Sequence, residues 1–224
     1  MLNLIKQEQF ELEVLDKLNS AKILNNLVFI GGTMLRLCYG LERFSTDLDF
    51  WLIDEVKTAV LYGKIKDYLA QYYKISDTKD KFYTMLYEVK SEKYPRSLKI
   101  EIRKNLIKAK TEKSIAYSKY SNLQVLVKTP PLNDVMDSKI ETFLSRNEIR
   151  DVFDIEFLYK KGAKMSVSKE VLKELLAKID ALPLNDYKVK LGSLLEQELR
   201  SYYTKEKFKI LKSAIQAQIT TNPL

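Results

Sequence analysis

The first half of the chain combines short apolar runs with longer stretches of helical spacing. Leu27–Ile30 is a run of four apolar residues stopped by two glycines, which predicts a buried strand. Residues 47–53 alternate between polar and apolar positions and predict a second strand. The same criteria predict helices over 10–18, over 33–39 with Thr33 as the N-terminal cap and over 54–73, and further strands over 82–89, 98–103 and 123–127.

Beyond Pro130 and Pro131 only helical spacing remains. Helices are predicted over 135–145, 149–159, 168–179, 186–202 and 205–218, with turn signals at Gly162 and Pro183. We therefore expect an α/β domain over residues 1–129 and a helical domain over residues 130–224. The predicted fold class is α+β, with a mixed sheet flanked by helices and a helical bundle after it.

The composition excludes several kinds of chemistry. The 224 residues include no histidine, which excludes Ser-His-Asp and Cys-His nucleophile systems and histidine-ligated zinc. The single cysteine, Cys38, excludes an internal disulfide and a CxxC site, and we expect it in the core together with Trp51. An enzyme of this composition must work with carboxylates, lysines, arginines, hydroxyls and hard metal ions.

The sequence predicts neither a secreted nor a membrane protein. Residues 1–14 carry three glutamates among their apolar residues, which is unlike a signal peptide. No apolar run approaches the roughly 20 residues that a membrane-spanning helix needs. We expect a cytoplasmic protein without membrane contact.

The densest chemical pattern joins a glycine turn to two aspartates. Gly31 and Gly32 lie between a predicted strand and a predicted helix, where free N–H groups and the helix dipole suit a phosphate. Asp47 and Asp49 are two positions apart on a predicted strand and so share a face. Mg²⁺ or Mn²⁺ suits such carboxylates, with Glu101 as third ligand or general base, although an aspartate pair can also be a plain turn and cap.

Positive charge is concentrated in one segment. Between Lys93 and Lys128 there are ten basic residues and two acidic ones, a balance equal to the whole net charge of +8. Interleaved tyrosines suit a nucleic acid, whose phosphates bind cations and whose bases stack on aromatic rings, while a solvated lysine-rich face is the plainer alternative. The candidate nucleic-acid-binding residues are Lys99, Arg103, Lys104, Lys108, Lys110 and Lys113.

The glycine and aspartate motifs resemble a known family. Residues 31–37 (GGTMLRL), Tyr39-Gly40 and residues 43–50 (RFSTDLDF) resemble the first motif of the AbiEii/AbiGii toxin family, part of the DNA polymerase β-like nucleotidyltransferase superfamily. Residues 135–141 (VMDSKIE) resemble its lysine motif, and Arg146 with residues 150–154 (RDVFD) resembles its R-D-x-x-D helix. The resemblance extends over about residues 29–160.

The resemblance implies the polymerase β-like mixed sheet and an enzyme that transfers a nucleoside monophosphate from an NTP, with release of pyrophosphate. It implies an RNA acceptor, the tRNA 3′ end above all, and the role of toxin in a toxin–antitoxin or abortive-infection system with a cognate antitoxin. The catalytic residues carried over are Asp47, Asp49, Glu101, Lys139 and Asp154, of which the first three hold metal. The nucleotide-binding residues carried over are Gly31, Gly32, Thr33, Arg36 and Lys139.

Plainer interpretations exist for some of these residues. Arg36 is equally well explained by an ion pair with a nearby acid, and Asp154 by an intrahelical pair with Arg150. Two rival functions stay open: transfer to a small-molecule or protein hydroxyl, and an inactive relative that only binds nucleic acid. The concentrated positive charge favours RNA over a small acceptor such as an aminoglycoside, which would call for a surplus of acids.

Overall fold

The structure is a computed structural model that describes residues 2–53, 57–105 and 110–221. The chain divides into two compact units, Met1–Pro130 and Pro131–Leu224. Lys108 of the predicted nucleic-acid surface lies outside the described residues, as do residues 54–56 at the start of a predicted helix.

The first unit is built on a mixed sheet, as the sequence predicts. Its five strands lie in the order β1-β2-β5-β4-β3; β2 and β5 are parallel, and the other neighbours are antiparallel. Strands β6 and β7 form a separate antiparallel pair. The elements are α1 (Leu2–Ser20), β1 (Leu27–Ile30), α2 (Gly31–Tyr39), β2 (Asp47–Leu52), α3 (Thr58–Ala70), β3 (Lys74–Asp80), β4 (Thr84–Lys90), β5 (Leu98–Arg103), β6 (Glu112–Tyr117) and β7 (Gln124–Thr129).

The two faces of the five-stranded sheet differ in chemistry because side chains alternate along each strand. On β2, β4 and β5 one face carries buried apolar residues, and the other carries mostly polar residues that are half-buried or exposed. Helix α3 covers the apolar face, where Tyr62 stacks on the buried ring of Tyr87 with 5.3 Å between the ring centroids. The polar face is therefore the one on which charged chemistry can take place.

The second unit is helical, and a buried glutamate joins three of its helices. Glu156 is 1% exposed; it accepts hydrogen bonds from the Tyr203 hydroxyl at 2.9 Å and from the Leu211 N–H at 3.2 Å. Its carboxylate thus satisfies an N–H in the first turn of the last helix, where no intrahelical partner exists. The helices are α4 (Leu132–Arg146), α5 (Ile149–Lys160), α6 (Lys169–Asp180), α7 (Gln197–Glu206) and α8 (Lys209–Thr220).

Some predicted elements are wrong. Strands β3 and β6 were not expected, because Lys74–Asp80 and Glu112–Tyr117 are too polar to show an apolar alternation. The single helix predicted over 186–202 is broken: a π-helical turn over Asp186–Leu191 precedes α7, and Leu195 is extended between them. The carbonyl of Gly192 accepts a hydrogen bond from Arg200 Nε at 2.8 Å, which stabilises this break.

Helix α1 contains a buried carboxyl group. Glu11 is fully buried, and among the described residues neither of its carboxylate oxygens has a hydrogen-bond partner. Burial, reinforced by the charge of Glu8, raises the pKa of Glu11 well above its ordinary value. The folded protein therefore keeps a proton on Glu11 at pH values where the unfolded chain releases it.

We expect Glu11→Gln to change how stability depends on pH. In the wild type the free energy of unfolding falls as pH rises from the ordinary glutamate range toward the raised pKa of Glu11, by up to about 1.4 kcal/mol per pH unit. The neutral amide removes that contribution, so the variant gains stability relative to the wild type as pH rises. Urea unfolding at several pH values measures the difference, with the exposed Glu42→Gln as control. Equal pH slopes for wild type and Glu11→Gln would contradict the assignment.

Candidate active site

Acidic side chains gather on the polar face of the sheet, at the start of β2. Asp47 pairs with Lys99 across the parallel β2–β5 ladder, and Asp49 pairs with Glu101. All four side chains are half-buried, whereas the intervening Leu48 is fully buried. The sequence prediction that Asp47 and Asp49 share a face is confirmed by this register, and Glu101 lies beside Asp49 on the neighbouring strand.

Lys99 balances this acidic charge. Its Nζ lies 3.1 Å from Glu101 Oε2 in an ion pair. Partial burial lowers the pKa of Lys99, but the hydrogen bond to Glu101 and the charges of Asp47 and Asp49 outweigh burial and raise the pKa overall. Lys99, expected on a nucleic-acid surface, is thus a cation within the acidic cluster.

Helix α2 begins directly after β1, and its first residue touches an aspartate. Gly31 has φ of +83°, and a Cβ added there would lie 2.7 Å from Asp49 Oδ2. Any other residue would therefore suffer both backbone strain and a clash with the carboxylate. The glycine allows the N-terminus of α2 to approach Asp49 closely.

Thr33 has a different role from the predicted cap. Helix α2 begins two residues earlier, at Gly31, and within the described structure no side chain caps it. The Thr33 side chain is fully buried, and its hydroxyl donates a 2.6 Å hydrogen bond to the backbone carbonyl of Asp47. Thr33 thus joins α2 to β2 beside Asp47, and the first N–H groups of the helix are left for another acceptor.

The second glycine of the motif is packed by the segment that leads into β2. A Cβ on Gly32 would lie 2.5 Å from an Nη atom of Arg43 and 2.9 Å from Ser45 Oγ. Arg43 is 3% exposed and donates a hydrogen bond to the Phe44 carbonyl at 3.1 Å. The helix N-terminus is therefore surrounded by an arginine, a serine and the two aspartates, a setting suited to an anion bound with a cation.

Arg36 lies one turn further along α2 and follows the plainer of its two interpretations. It forms an ion pair with Glu8 of α1, donates to the Leu41 carbonyl at 3.0 Å and lies 3.8 Å from the Phe44 ring centroid. These contacts orient Arg36 toward α1 and the loop after α2.

The donor chemistry of the polar face fits a hard divalent cation. The Cα atoms of Asp47 and Asp49 are about 6.5 Å apart along the strand. The two side chains supply the carboxylate oxygens that Mg²⁺ and Mn²⁺ prefer. Over residues 2–53, 57–105 and 110–221, however, no three acidic, cysteine or histidine side chains form a ready metal-binding group. Glu101, the third acid on this face, is paired with Lys99.

Sequence reasoning missed one residue on this face. Trp51 was expected in the core, but it is only half-buried and lies on the same face as Asp47 and Asp49, opposite Arg103 of β5. The alternation Asp-Leu-Asp-Phe-Trp-Leu contains the signal, since residues 47, 49 and 51 must share a face. Cys38 is also only half-buried, and burial raises its pKa to about 12, so it is a thiol at neutral pH.

The second unit holds the lysine and R-D-x-x-D residues in one ionic cluster. Lys139 Nζ lies 2.6 Å from Asp154 Oδ2 and 3.3 Å from Asp151 Oδ1, and both carboxylates are fully buried. Arg146 binds Asp151 through two 2.7 Å hydrogen bonds. The partner of Asp154 in this cluster is thus Lys139, from a different helix, while Arg150 is exposed.

The predicted nucleic-acid residues are divided between two sheets. Arg103 is exposed at the end of β5, and Lys104, which follows it, pairs with Asp80 at 2.6 Å. Lys110 and Lys113 are exposed before and on β6. The described cations of this set therefore come from two different sheets of the first unit.

The comparisons with known proteins show a family and a shared fold. A family model described as the nucleotidyl transferase AbiEii toxin of a type IV toxin–antitoxin system matches residues 13–216. The JHP933 protein of Helicobacter pylori is similar in structure, with 22% identity, a TM-score of 0.54 and coverage of 93% of this chain and 94% of that one. A second H. pylori protein, described as a candidate nucleotidyltransferase, has 20% identity, a TM-score of 0.56 and coverage of 94% and 97%. At these identities the likeness shows a shared fold.

No curated protein matches the sequence significantly. In the described part of the chain, no helix is both long and apolar enough to cross a membrane.

We expect Gly31→Ala to lower stability by more than the strain of a left-handed alanine alone. Gly40→Ala is the matched control, because Gly40 has a similar φ of +80° but nothing within 4 Å of an added Cβ. In both variants the left-handed backbone of the new alanine lowers the free energy of unfolding by about 1 kcal/mol or more. Only in Gly31→Ala does the new Cβ also clash with the Asp49 carboxylate. Thermal unfolding should show a larger loss for Gly31→Ala, and added Mg²⁺ with NTP should stabilise Gly40→Ala only. Equal behaviour of the two variants would argue against the Gly31–Asp49 contact.

Proposed function

Because this chain belongs to the AbiEii nucleotidyltransferase toxin family of type IV toxin–antitoxin systems, we propose that it transfers a nucleoside monophosphate from an NTP to the 3′ end of an RNA, with tRNA as the acceptor. The observation that carries the proposal is the contact of Asp49 with Gly31 at the start of α2, beside Asp47. A helix N-terminus next to paired carboxylates suits a triphosphate bound with a cation.

The chain's own groups supply the binding of the triphosphate. The N–H groups of Gly31, Gly32 and Thr33 belong to the first turn of α2, where no intrahelical carbonyl accepts them. They donate to the terminal phosphates, and the positive end of the helix dipole favours the negative charge. The Thr33 hydroxyl holds Asp47 in place through its 2.6 Å hydrogen bond.

The chemical step is an in-line displacement at the α-phosphorus. The 3′ oxygen of the acceptor forms a bond to this phosphorus, the bond to the bridging oxygen of the β-phosphate breaks, and pyrophosphate leaves. Glu101, paired in register with Asp49, accepts the proton of the attacking hydroxyl. The Lys99 ammonium, 3.1 Å from Glu101, fixes the position of that carboxylate.

Asp47 and Asp49 would hold the Mg²⁺ or Mn²⁺ ion, beside the Glu101 carboxylate that accepts the proton. Such an ion neutralises the triphosphate and the charge that develops in the displacement. Three observations support this assignment: the shared face of the two aspartates, the register of Asp49 with Glu101 and the absence of histidine from the sequence. Hard oxygen donors are then the natural ligands.

Lys139 and Asp154 are assigned from the family resemblance. The resemblance implies a nucleotide-binding role for Lys139, and within the second unit the buried Asp154 and Asp151 hold its ammonium in a fixed position. A lysine that is only 12% exposed and pairs with two buried carboxylates loses little conformational entropy when it binds an anion.

The acceptor is assigned to RNA because of the exposed positive charge of the first unit. Arg103, Lys110 and Lys113 are exposed, and the segment from Lys93 to Lys128 holds the whole excess charge of the sequence. A polyanion gains affinity from such a surface through counterion release. In the cell the modified tRNA would no longer support translation, and a cognate antitoxin would oppose that effect.

The direct test is transfer of label from α-labelled NTP to total tRNA in the presence of Mg²⁺, with each of the four NTPs in turn. We expect labelled tRNA with the wild type, and a rate lower by about 10²–10³ with Asp49→Asn, because the amide keeps the shape of the side chain but loses its charge. Asp67→Asn is the matched control, since Asp67 is an exposed carboxylate of α3, which covers the opposite face of the sheet.

Other outcomes would redirect the proposal. Pyrophosphate release without label on RNA would indicate a small-molecule or protein hydroxyl as acceptor. An equal rate for Asp49→Asn and wild type would remove Asp49 from the mechanism. RNA binding with neither transfer nor NTP binding would favour an inactive nucleic-acid-binding relative.

A further inference from the structure

Two aromatic side chains form the exposed tip of the β3–β4 hairpin. The Lys81 N–H donates to the Thr84 carbonyl at 2.8 Å, which leaves Phe82 and Tyr83 as the two residues of the turn. Phe82 is 84% exposed and Tyr83 is 64% exposed, and their rings contact edge to face at a centroid distance of 4.6 Å. Tight hairpin turns favour Gly, Asn and Asp, so neither turn chemistry nor the core explains these rings.

The tip is held rigidly against the end of β5. The Lys104 N–H donates to the Tyr83 carbonyl at 2.9 Å, and Lys104 Nζ pairs with Asp80 at 2.6 Å. Thr84, the residue after the turn, is paired in register with Arg103. A fixed backbone presents the two rings with little loss of entropy on binding, which favours a binding role.

The surroundings of the tip are positively charged. Four cations and two carboxylates lie on the turn and on the strand ends beside it. Each carboxylate is paired with one of the cations. The exposed Lys81 and Arg103 therefore remain as the excess charge. The cations are Lys79, Lys81, Arg103 and Lys104, and the carboxylates are Asp77 and Asp80.

The tip lies on the same strands as the acidic cluster. Glu101 is paired with Leu86 across the β4–β5 ladder, and Tyr83 is three residues from Leu86, about 10 Å along the strand. Arg103 lies between them, on the same face as Glu101. An acceptor whose reactive end is at Glu101 could thus extend past Arg103 to the aromatic rings.

We propose that Phe82, Tyr83 and Arg103 form a stacking platform for unpaired bases near the 3′ end of the RNA acceptor. This inference rests on the proposed function only in taking RNA as the acceptor. Aromatic faces next to excess cations fit a single-stranded nucleic acid, which offers both flat bases and phosphates. An apolar protein partner would use the rings but not the excess of cations.

The test measures binding of a fluorescent single-stranded RNA oligonucleotide by anisotropy without NTP, and compares a blunt RNA duplex of the same sequence. We expect Phe82→Leu with Tyr83→Leu to raise the Kd for the single strand about tenfold or more, because leucine keeps apolar area but cannot stack. Phe82→Trp with Tyr83→Trp should retain wild-type affinity. Arg103→Gln should reduce the slope of log affinity against log salt by about 0.7.

Tyr72→Leu is the matched control, because Tyr72 is 46% exposed and precedes β3, at the end of the strand away from the tip and outside the basic segment. Equal single-strand affinity for the leucine pair and the wild type would overturn the proposal, as would an equal loss of affinity for the duplex. A changed oligomeric state in the leucine pair, with RNA affinity intact, would assign the tip to a protein contact and overturn it too.

Failure of this inference is distinguishable from failure of the proposed function. If the leucine pair transfers label to tRNA with wild-type KM and kcat, the platform is wrong and the nucleotidyltransferase assignment stands. If the wild type binds single strands through the tip but transfers no label to RNA, the acceptor assignment fails and the binding surface stands. A raised KM for tRNA in the leucine pair, with kcat nearly unchanged, would support both the platform and the assignment of RNA as acceptor.

Discussion

The N-terminus of α2 is fixed to β2 by two contacts on which the arrangement of the acidic cluster depends. The Thr33 hydroxyl binds the Asp47 carbonyl at 2.6 Å, and Gly31 lies so close to Asp49 that a Cβ would meet its carboxylate at 2.7 Å. Helix, glycine turn and strand thus form one rigid corner. The first N–H groups of α2 and the two carboxylates come from the two sides of that corner, so neither can move without the other.

Charge balance is the second constraint on the site. Carboxylates placed together repel one another and lose hydration, so each must have compensation. In the first unit Lys99 pairs with Glu101 and lies in the field of Asp47 and Asp49. In the second unit Lys139 and Arg146 compensate the fully buried Asp151 and Asp154. Each group of acids therefore contains a lysine whose ammonium offsets the negative charge.

Local patterns in the sequence predicted the elements that carry strong hydrophobic periodicity. Strands β1 and β5 have the bounds that were expected, the mixed sheet is confirmed, and so is membership of the nucleotidyltransferase toxin family. Contacts between distant residues were not predictable, because no local pattern reports them. Three such contacts depend on tertiary packing: the Arg36–Glu8 pair, the Thr33–Asp47 hydrogen bond and the Lys99–Glu101 pair. The polar edge strand β3 was not predicted for a related reason. Its residues have the sequence pattern of a loop, and they form a strand because they pair with β4.

We propose that Asp47 and Asp49 bind a divalent cation together with a triphosphate held at α2. The most direct measurement is electron paramagnetic resonance titration of Mn²⁺ into the protein with a non-hydrolysable NTP analogue. We expect a nucleotide-dependent Mn²⁺ site in the wild type. Its Mn²⁺ affinity should fall at least about tenfold in Asp47→Asn and in Asp49→Asn, and should be unchanged in the exposed control Glu42→Gln. Equal Mn²⁺ affinity in the wild type and both aspartate variants would contradict it.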